Sequence, residues 1–293
     1  MTNGAAGPVL VGASSWSARS LVKGSGWYPR RSMRAAERIA HYAARFRLVE
    51  LDVTARFPPT PELCRQWAER TPAGFVFDLQ AWSLLTGAAT FPESLWADLQ
   101  DEVRPEARDR RRLYASHLSA DGMDEAWSRF AHALGPLRAA GRLGAVLLRY
   151  PPWLRPGSTA DGLLAEARGR LAGFRLAVEL PNDRWLADSQ RDSTLSLLEE
   201  LNLALVCVDG PDGPGVVAAT SDLAVVRLGG RGAVYRADYR YRADELAAWV
   251  GPVRDLAAAG GGVHVLFANT QRDLAVINAA EFDRLVNADR DSR

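Results

Sequence analysis

The sequence contains few of the side chains that covalent chemistry usually requires. Lys23 is the only lysine among 36 basic residues, and it lies in a glycine-rich segment. A Schiff-base lysine needs an apolar pocket that removes its water, so we expect no aldolase-type chemistry. Cys64 and Cys207 are the only cysteines; their apolar neighbours and wide separation indicate two buried thiols and no disulfide.

Histidine is also scarce, which excludes a histidine-rich metal site. Three of the four histidines lie on predicted helices or connections, and His264 begins a predicted strand. Zinc and iron sites built mainly from imidazole ligands are therefore excluded. Oxygen ligands for Mg²⁺ would come from four acidic residues, Glu50, Asp52, Glu179 and Asp209. No phosphate partner for such an ion is visible, so we expect no cofactor, with Mg²⁺ held by these oxygens as the alternative.

The sequence also has no excess of either charge and no long apolar run. The 36 basic residues nearly cancel 35 acidic ones, leaving a net charge of +1, so no global field attracts nucleic acid or an anionic membrane. No apolar run approaches the ~20 residues of a membrane span, and residues 1–12 lack the basic start of a secretion signal. We expect a cytoplasmic protein with no membrane partner.

What the sequence does contain is a regular alternation of apolar segments and helical patterns. Eight short apolar segments predict strands at 9–13, 48–53, 75–79, 145–149, 176–180, 203–208, 223–228 and 263–267. Helical spacing predicts helices at 33–46, 61–70, 124–139, 193–201, 243–259 and 271–286. Strands that alternate with helices favour a parallel sheet, and eight of them favour a closed barrel. We predict an α/β fold, a (β/α) TIM-type barrel spanning 1–293 as a single domain.

The connection between the third and fourth predicted strands is unusually long. Residues 82–141 form an insertion of about sixty residues where one helix would suffice. It contains the arginine-rich segment 104–112. This segment is either a solvent-exposed helix face or a lid or docking patch beside the barrel mouth.

The ends of the predicted strands carry the candidate site. In β/α barrels the βα connections converge over the carboxyl ends of the strands. We select Glu50, Glu179 and Arg227 as candidate catalytic residues, with Glu179 first because it follows an apolar strand directly. Candidate ligand-binding residues share the same end of the barrel: Trp16, Asp52, Thr54, Gln80, Arg149, Trp185, Asp209, Gly230, Arg231 and Asn269. The alternative is a buried ion-pair network that only closes the barrel.

Two further features could contribute to binding. Residues 229–232, Gly-Gly-Arg-Gly, could present amides and a guanidinium to a phosphate, or form only a flexible turn. Trp16, Trp82, Trp153 and Trp185 each follow a predicted strand, where indoles either stack on ligands or pack beneath loops.

Short blocks along nearly the whole chain resemble the YecE-like family, domain of unknown function 72. They include Trp27-Tyr28-Pro29, Val49-Glu50-Leu51-Asp52-Val53-Thr54, Trp67-Ala68-Glu69-Arg70-Thr71-Pro72, Leu148-Arg149-Tyr150-Pro151-Pro152 and Phe267-Ala268-Asn269. The resemblance implies a TIM barrel and no established reaction. The chain departs from the family at several polar positions, which read Gln80, Gly87, Pro181, Asn182 and Gly229. If the family is enzymatic, these departures imply a changed substrate or a lost reaction in this chain.

Three functions remain open at this point. The first is binding of a small polar or phosphorylated metabolite at the barrel mouth, with or without catalysis. The second is a nucleic-acid-binding module that uses rim tryptophans and arginines such as Arg56, Arg149, Arg184 and Arg231. The third is a non-catalytic protein that binds a partner through residues 82–141. The sequence does not indicate an oligomeric state.

Overall fold

The computed structural model describes residues 6–210, 213–231, 237–259 and 261–288. Within these ranges eight parallel strands form one sheet: β1 (Val9–Ser14), β2 (Leu48–Leu51), β3 (Val76–Gln80), β4 (Leu143–Arg149), β5 (Leu176–Glu179), β6 (Ala204–Gly210), β7 (Leu223–Leu228) and β8 (Gly262–Phe267). β1 pairs with both β2 and β8, and β5 pairs with both β4 and β6. The sheet therefore closes, which confirms the predicted TIM-type barrel.

Helices surround the barrel, and two of them were not predicted from the sequence. The described residues form α1 (Arg19–Gly24), α2 (Ala35–Ala43), α3 (Pro61–Glu69), α4 (Ala120–Ala133), α5 (Gly135–Ala139), α6 (Ser158–Arg170), α7 (Arg191–Glu200), α8 (Ala243–Ala258) and α9 (Leu274–Asn287). The missed helices are α1 and α6. The predicted helix 124–139 is in fact α4 and α5, because Pro136 lacks an N–H and lies in the first turn of the second helix.

Side chains alternate between the inside of the barrel and the layer of helices. The apolar residues that pack together inside are Leu10, Leu48, Ala145, Leu147, Ala177, Ala204, Val206, Leu223, Val225 and Leu266. The larger core lies between the strands and the helices and contains Trp67, Trp127 and Trp249. The inside of the barrel is thus a packed core, and any ligand must bind above it.

A polar pair lies inside this apolar interior. His264 of β8 places Nδ1 2.9 Å from Oδ2 of Asp78 on β3, and both side chains are buried. The backbone N–H of Ala145 donates to Oδ1 of Asp78 at 2.7 Å. Asp78 precedes Gln80 by two residues, so it lies one step deeper on the same face of β3.

The connection from β3 to β4 folds as a series of short turns followed by α4 and α5. Two isolated antiparallel bridges, Thr90 with Leu113 and Val103 with Leu118, hold it together. In the arginine-rich segment only Pro105–Ala107 is helical, as one 3-10 turn, and every arginine there is exposed. The segment is therefore a solvent-exposed loop and not a helix face. Among the described residues, no helix is long and apolar enough to cross a membrane.

Candidate functional site

The carboxylate of Glu50 is the centre of a buried polar network at the carboxyl ends of the strands. Its Oε2 accepts hydrogen bonds from Oγ of Ser14 and, at 3.3 Å, from Nε of Arg227. Its Oε1 accepts from Nε2 of Gln80 and lies 3.2 Å from Nη2 of Arg227. Glu50 is fully buried. Both carboxylate oxygens are thus occupied, which makes Glu50 an anchor for Arg227.

Arg227 continues the network towards solvent through a second carboxylate. Its Nη1 lies 3.1 Å from Oε2 of Glu179, whose Oε1 lies 2.9 Å from Nε of Arg149. Arg149 and Glu179 are direct neighbours in the register of β4 and β5. The side chain of Glu179 is 4% exposed, whereas that of Arg149 is 42% exposed. The charges therefore form one chain from the buried Glu50 to the solvent-facing Arg149.

Asp52 lies beside this network, on a turn and not on the predicted strand 48–53. β2 ends at Leu51, and residues Asp52–Ala55 form a 3-10 turn, so Asp52 does not share a strand face with Glu50. Asp52 is exposed. The protein around its carboxyl group displaces water and, together with the charge of Glu50, raises the pKa of Asp52, while Arg227 lowers it. Asp52 is thus a solvent-accessible carboxyl that binds a proton more tightly than usual.

Asp209 lies outside the barrel mouth, contrary to the prediction. The preceding Val208 packs against the barrel interior, so Asp209 faces the opposite side of β6. It accepts hydrogen bonds from Tyr241 Oη at 2.9 Å, Trp249 Nε1 at 2.8 Å, and Arg231 Nε and Nη2 at 3.0 and 3.2 Å. Burial and the charge of Asp209 raise the pKa of Tyr241, which keeps its hydroxyl a donor. Asp209 holds β6 to α8 and to the connection after β7.

The predicted phosphate loop contributes to the same contacts. The N–H of Gly230 donates to the Tyr241 hydroxyl at 2.9 Å, and Arg231 also lies 3.4 Å from Oε1 of Glu245. These donors point into the protein, and Gly232 lies outside the described residues. No phosphate cradle is formed by Gly230 and Arg231.

Thr54 and Asn269 also hold the backbone rather than line the mouth. The Thr54 hydroxyl lies 2.6 Å from the carbonyl oxygens of both Leu51 and Gln80. The Nδ2 of Asn269 donates to the carbonyl of Tyr239 at 2.8 Å. Both side chains are almost fully buried. Each fixes the course of the chain after a barrel strand.

Three of the four candidate rim tryptophans pack inside the protein. Trp16, Trp82 and Trp185 are buried, and Nε1 of Trp185 donates to the Leu154 carbonyl at 3.0 Å. Trp153 is 58% exposed and meets the ring of Tyr114 edge-on. Of these four indoles, only Trp153 presents a large surface to a ligand.

Sequence reasoning missed Ser14 as a member of the network. Ser14 is the last residue of β1, is buried, and pairs in register with Glu50. A signal existed, because a serine that ends an apolar strand lies at the same end of the barrel as Glu50.

Both cysteine side chains are buried and free of disulfide bonds. Burial raises the pKa of Cys64 to about 12 and, as the largest effect, raises that of Cys207 to about 11, so both remain thiols at neutral pH. In the part of the chain that the structure describes, no group of three or more His, Cys, Asp or Glu side chains is placed to hold a metal ion.

Comparison with known proteins supports one relationship over almost the whole chain. The model of the family "Protein of unknown function DUF72" matches residues 10–293. UPF0759 protein YunF of Bacillus subtilis (strain 168) is 22% identical over 298 residues, which cover 95% of both chains.

Two solved structures share the fold. Crystal structures of DUF72 family proteins from Enterococcus faecalis V583 and Thermotoga maritima MSB8 both match with a TM-score of 0.74, at 21% and 24% identity. Each alignment covers 96% of this chain, and 98% and 99% of the respective structures.

Proposed function

This chain belongs to the DUF72 family, whose function is unknown, and we propose that it binds a small polar or phosphorylated metabolite at the carboxyl end of its barrel. The proposal rests on the buried chain of charges Glu50–Arg227–Glu179 beneath the solvent-facing Arg149 and Asp52. Moving ions out of water costs several kcal/mol each, and apolar residues of similar volume often fill such a site equally well. A network of this kind is therefore better explained by binding than by stability.

The parts of the site have different tasks in this proposal. Arg149 is the group that contacts the ligand, since its guanidinium reaches solvent while Glu179 holds it in place. Glu50, Glu179 and Arg227 are positioning residues, because their side chains are buried and satisfied by one another. Asp52 is the second solvent-exposed group beside the network and is assigned to ligand binding with Arg149.

Thermal unfolding in the presence of small ligands tests this proposal. Purified protein is heated with a panel of sugars, sugar phosphates, organic acids and nucleotides. A ligand at 100 times its Kd adds ~2.7 kcal/mol of stability, which raises the midpoint by a few degrees. We expect a rise with at least one compound that is lost in Glu179→Gln.

The matched control is Asp222→Asn, which removes an exposed carboxylate that pairs with Arg175 far from the mouth. In this variant the ligand should raise the unfolding midpoint as much as in the native protein. A rise that survives in Glu179→Gln would place the ligand elsewhere, and no rise with any compound would contradict metabolite binding.

A further inference from the structure

Two arginines from different connections meet on one aromatic ring. The guanidinium carbon of Arg56 lies 4.2 Å from the ring centroid of Phe91, and that of Arg112 lies 3.6 Å from the same centroid. The two positive charges are therefore close neighbours. Cation–π contact with the ring holds each guanidinium in place and offsets part of their mutual repulsion.

The fold places this arginine pair at the barrel mouth. Arg56 directly follows the 3-10 turn that begins with Asp52. Phe91 and Arg112 are brought together by the antiparallel bridge of Thr90 with Leu113, whose two N–H···O bonds are each 2.8 Å long. The pair thus lies on the same face of the barrel as Asp52.

The two guanidinium groups have no acidic counterpart among the residues that the structure describes. Neither Arg56 nor Arg112 has a carboxylate oxygen within 4.0 Å in this part of the chain, and both side chains are exposed. Nη1 of Arg112 donates to the backbone carbonyl of Arg111 at 2.8 Å, which leaves its other N–H groups for a ligand. What distinguishes the pair is that one ring, Phe91, holds both exposed guanidinium groups.

We propose that Arg56 and Arg112 bind the phosphate group of a phosphorylated small metabolite. This inference rests on the proposed function and names the class of its ligand. A phosphate monoester carries about −1.5 to −2 charges at neutral pH, which matches two guanidinium groups. Arginine binds phosphate through parallel N–H···O bonds, and stacking on Phe91 limits the freedom lost on binding.

The observations favour a small phosphate over a nucleic acid. A single-stranded nucleic acid needs a basic track and several aromatic rings on which bases stack. Here the near-zero net charge and the burial of Trp16, Trp82 and Trp185 argue against such a surface. A single pair of arginines suits a single phosphate group.

Binding of inorganic phosphate, followed by ³¹P line broadening at constant ionic strength, tests this proposal. We expect the double variant Arg56→Gln/Arg112→Gln to weaken phosphate binding at least tenfold and each single variant to weaken it less. The control Arg110→Gln/Arg111→Gln removes the same charge from exposed positions of the same loop and should change binding less than twofold. Circular dichroism checks that every variant is folded.

Phosphate binding should also persist in Glu179→Gln, so this test can succeed or fail independently of the metabolite site. Equal weakening in the two double variants, or no phosphate binding by the native protein, would overturn the proposal. A short oligothymidylate that binds far more tightly than phosphate, with steep salt dependence and loss in Arg56→Gln/Arg112→Gln, would overturn it in favour of nucleic acid.

Discussion

Nη1 of Arg227 lies 3.1 Å from Oε2 of Glu179, and the two side chains are only 6% and 4% exposed. An ion pair so deeply buried gains attraction but loses the hydration of both charges. Glu50 and Arg149 supply further partners on either side and offset part of this loss. The pair is the structural core of the proposed site, and its energetics distinguish it from the ion pairs on the surface.

Removal of the guanidinium of Arg227 should strongly destabilise the folded protein. Arg227→Met leaves the buried Glu50 and Glu179 facing each other without a guanidinium, and we expect the free energy of unfolding to fall by about 3–5 kcal/mol. Arg175→Met breaks an exposed pair with Asp222 and should cost about 0–1 kcal/mol. Urea denaturation of both variants measures the difference. Similar losses in the two would show that the buried network contributes no more than a surface pair.

Asp52→Asn should remove part of the loss of stability that the native protein shows as pH rises. Its raised pKa means that the folded chain binds the proton more tightly than the unfolded chain. Between the ordinary value of 3.8 and the folded value the native state thus holds more protons, and stability falls as pH rises. Asp52→Asn removes this loss, so it should be more stable than the native protein at neutral pH and equally stable below about pH 3. A constant difference across the pH range would contradict the raised pKa.

Asp209 should affect stability and not ligand binding. Asp209→Ala leaves the donors of Arg231, Tyr241 and Trp249 without their acceptor, for which we expect a loss of about 3–5 kcal/mol. Trp249→Phe removes one donor and should cost on the order of 1–3 kcal/mol, mainly because one lone pair of the carboxylate is left unpaired. Denaturation measures both. If Asp209→Ala instead weakened metabolite binding and left the free energy of unfolding unchanged, Asp209 would belong to the site.

The Asp78–His264 pair leaves no room at Gly144. A Cβ on Gly144 would meet Oδ1 of Asp78 and approach Cε1 of His264 to 2.8 Å, so Gly144→Ala should destabilise the barrel by about 1–3 kcal/mol. Gly162 lies in α6 with open space at its Cβ position, and Gly162→Ala should stabilise by about 0.5–1 kcal/mol. Thermal unfolding compares the two. A neutral Gly144→Ala would mean that the pair moves aside freely.

The fold was readable from the sequence because parallel strands covered on both faces are short and apolar. All eight predicted strands are present, within three residues at either end. Helix α6 was missed because its buried residues, Ala160, Leu164 and Ala167, include two alanines and give little helical contrast. Helix α1 was missed because only Leu21 of its six residues is buried.

The candidate site was harder to read, since the same continuous apolar pattern hides which residues face inward. Position at a strand end was enough to bring Glu50, Glu179 and Arg227 together. The same reasoning was wrong for Asp209. Its strand β6 is continuously apolar, so apolar and polar residues do not alternate and do not show which side chains face inward. The pairing of Arg56 with Arg112 depends on the bridge of Thr90 with Leu113, a contact between residues far apart in sequence.

The measurement that tests metabolite binding most directly is titration calorimetry with the panel compound that raises the unfolding midpoint most. The native protein is compared with Arg149→Gln and with Arg170→Gln, whose side chains are 42% and 36% exposed and each face a carboxylate. A hydrogen bond to a charged group contributes about 1.5–3 kcal/mol, so Arg149→Gln should weaken binding at least tenfold. Arg170→Gln should bind as the native protein does. Equal affinity in all three proteins would contradict a binding site at the barrel mouth.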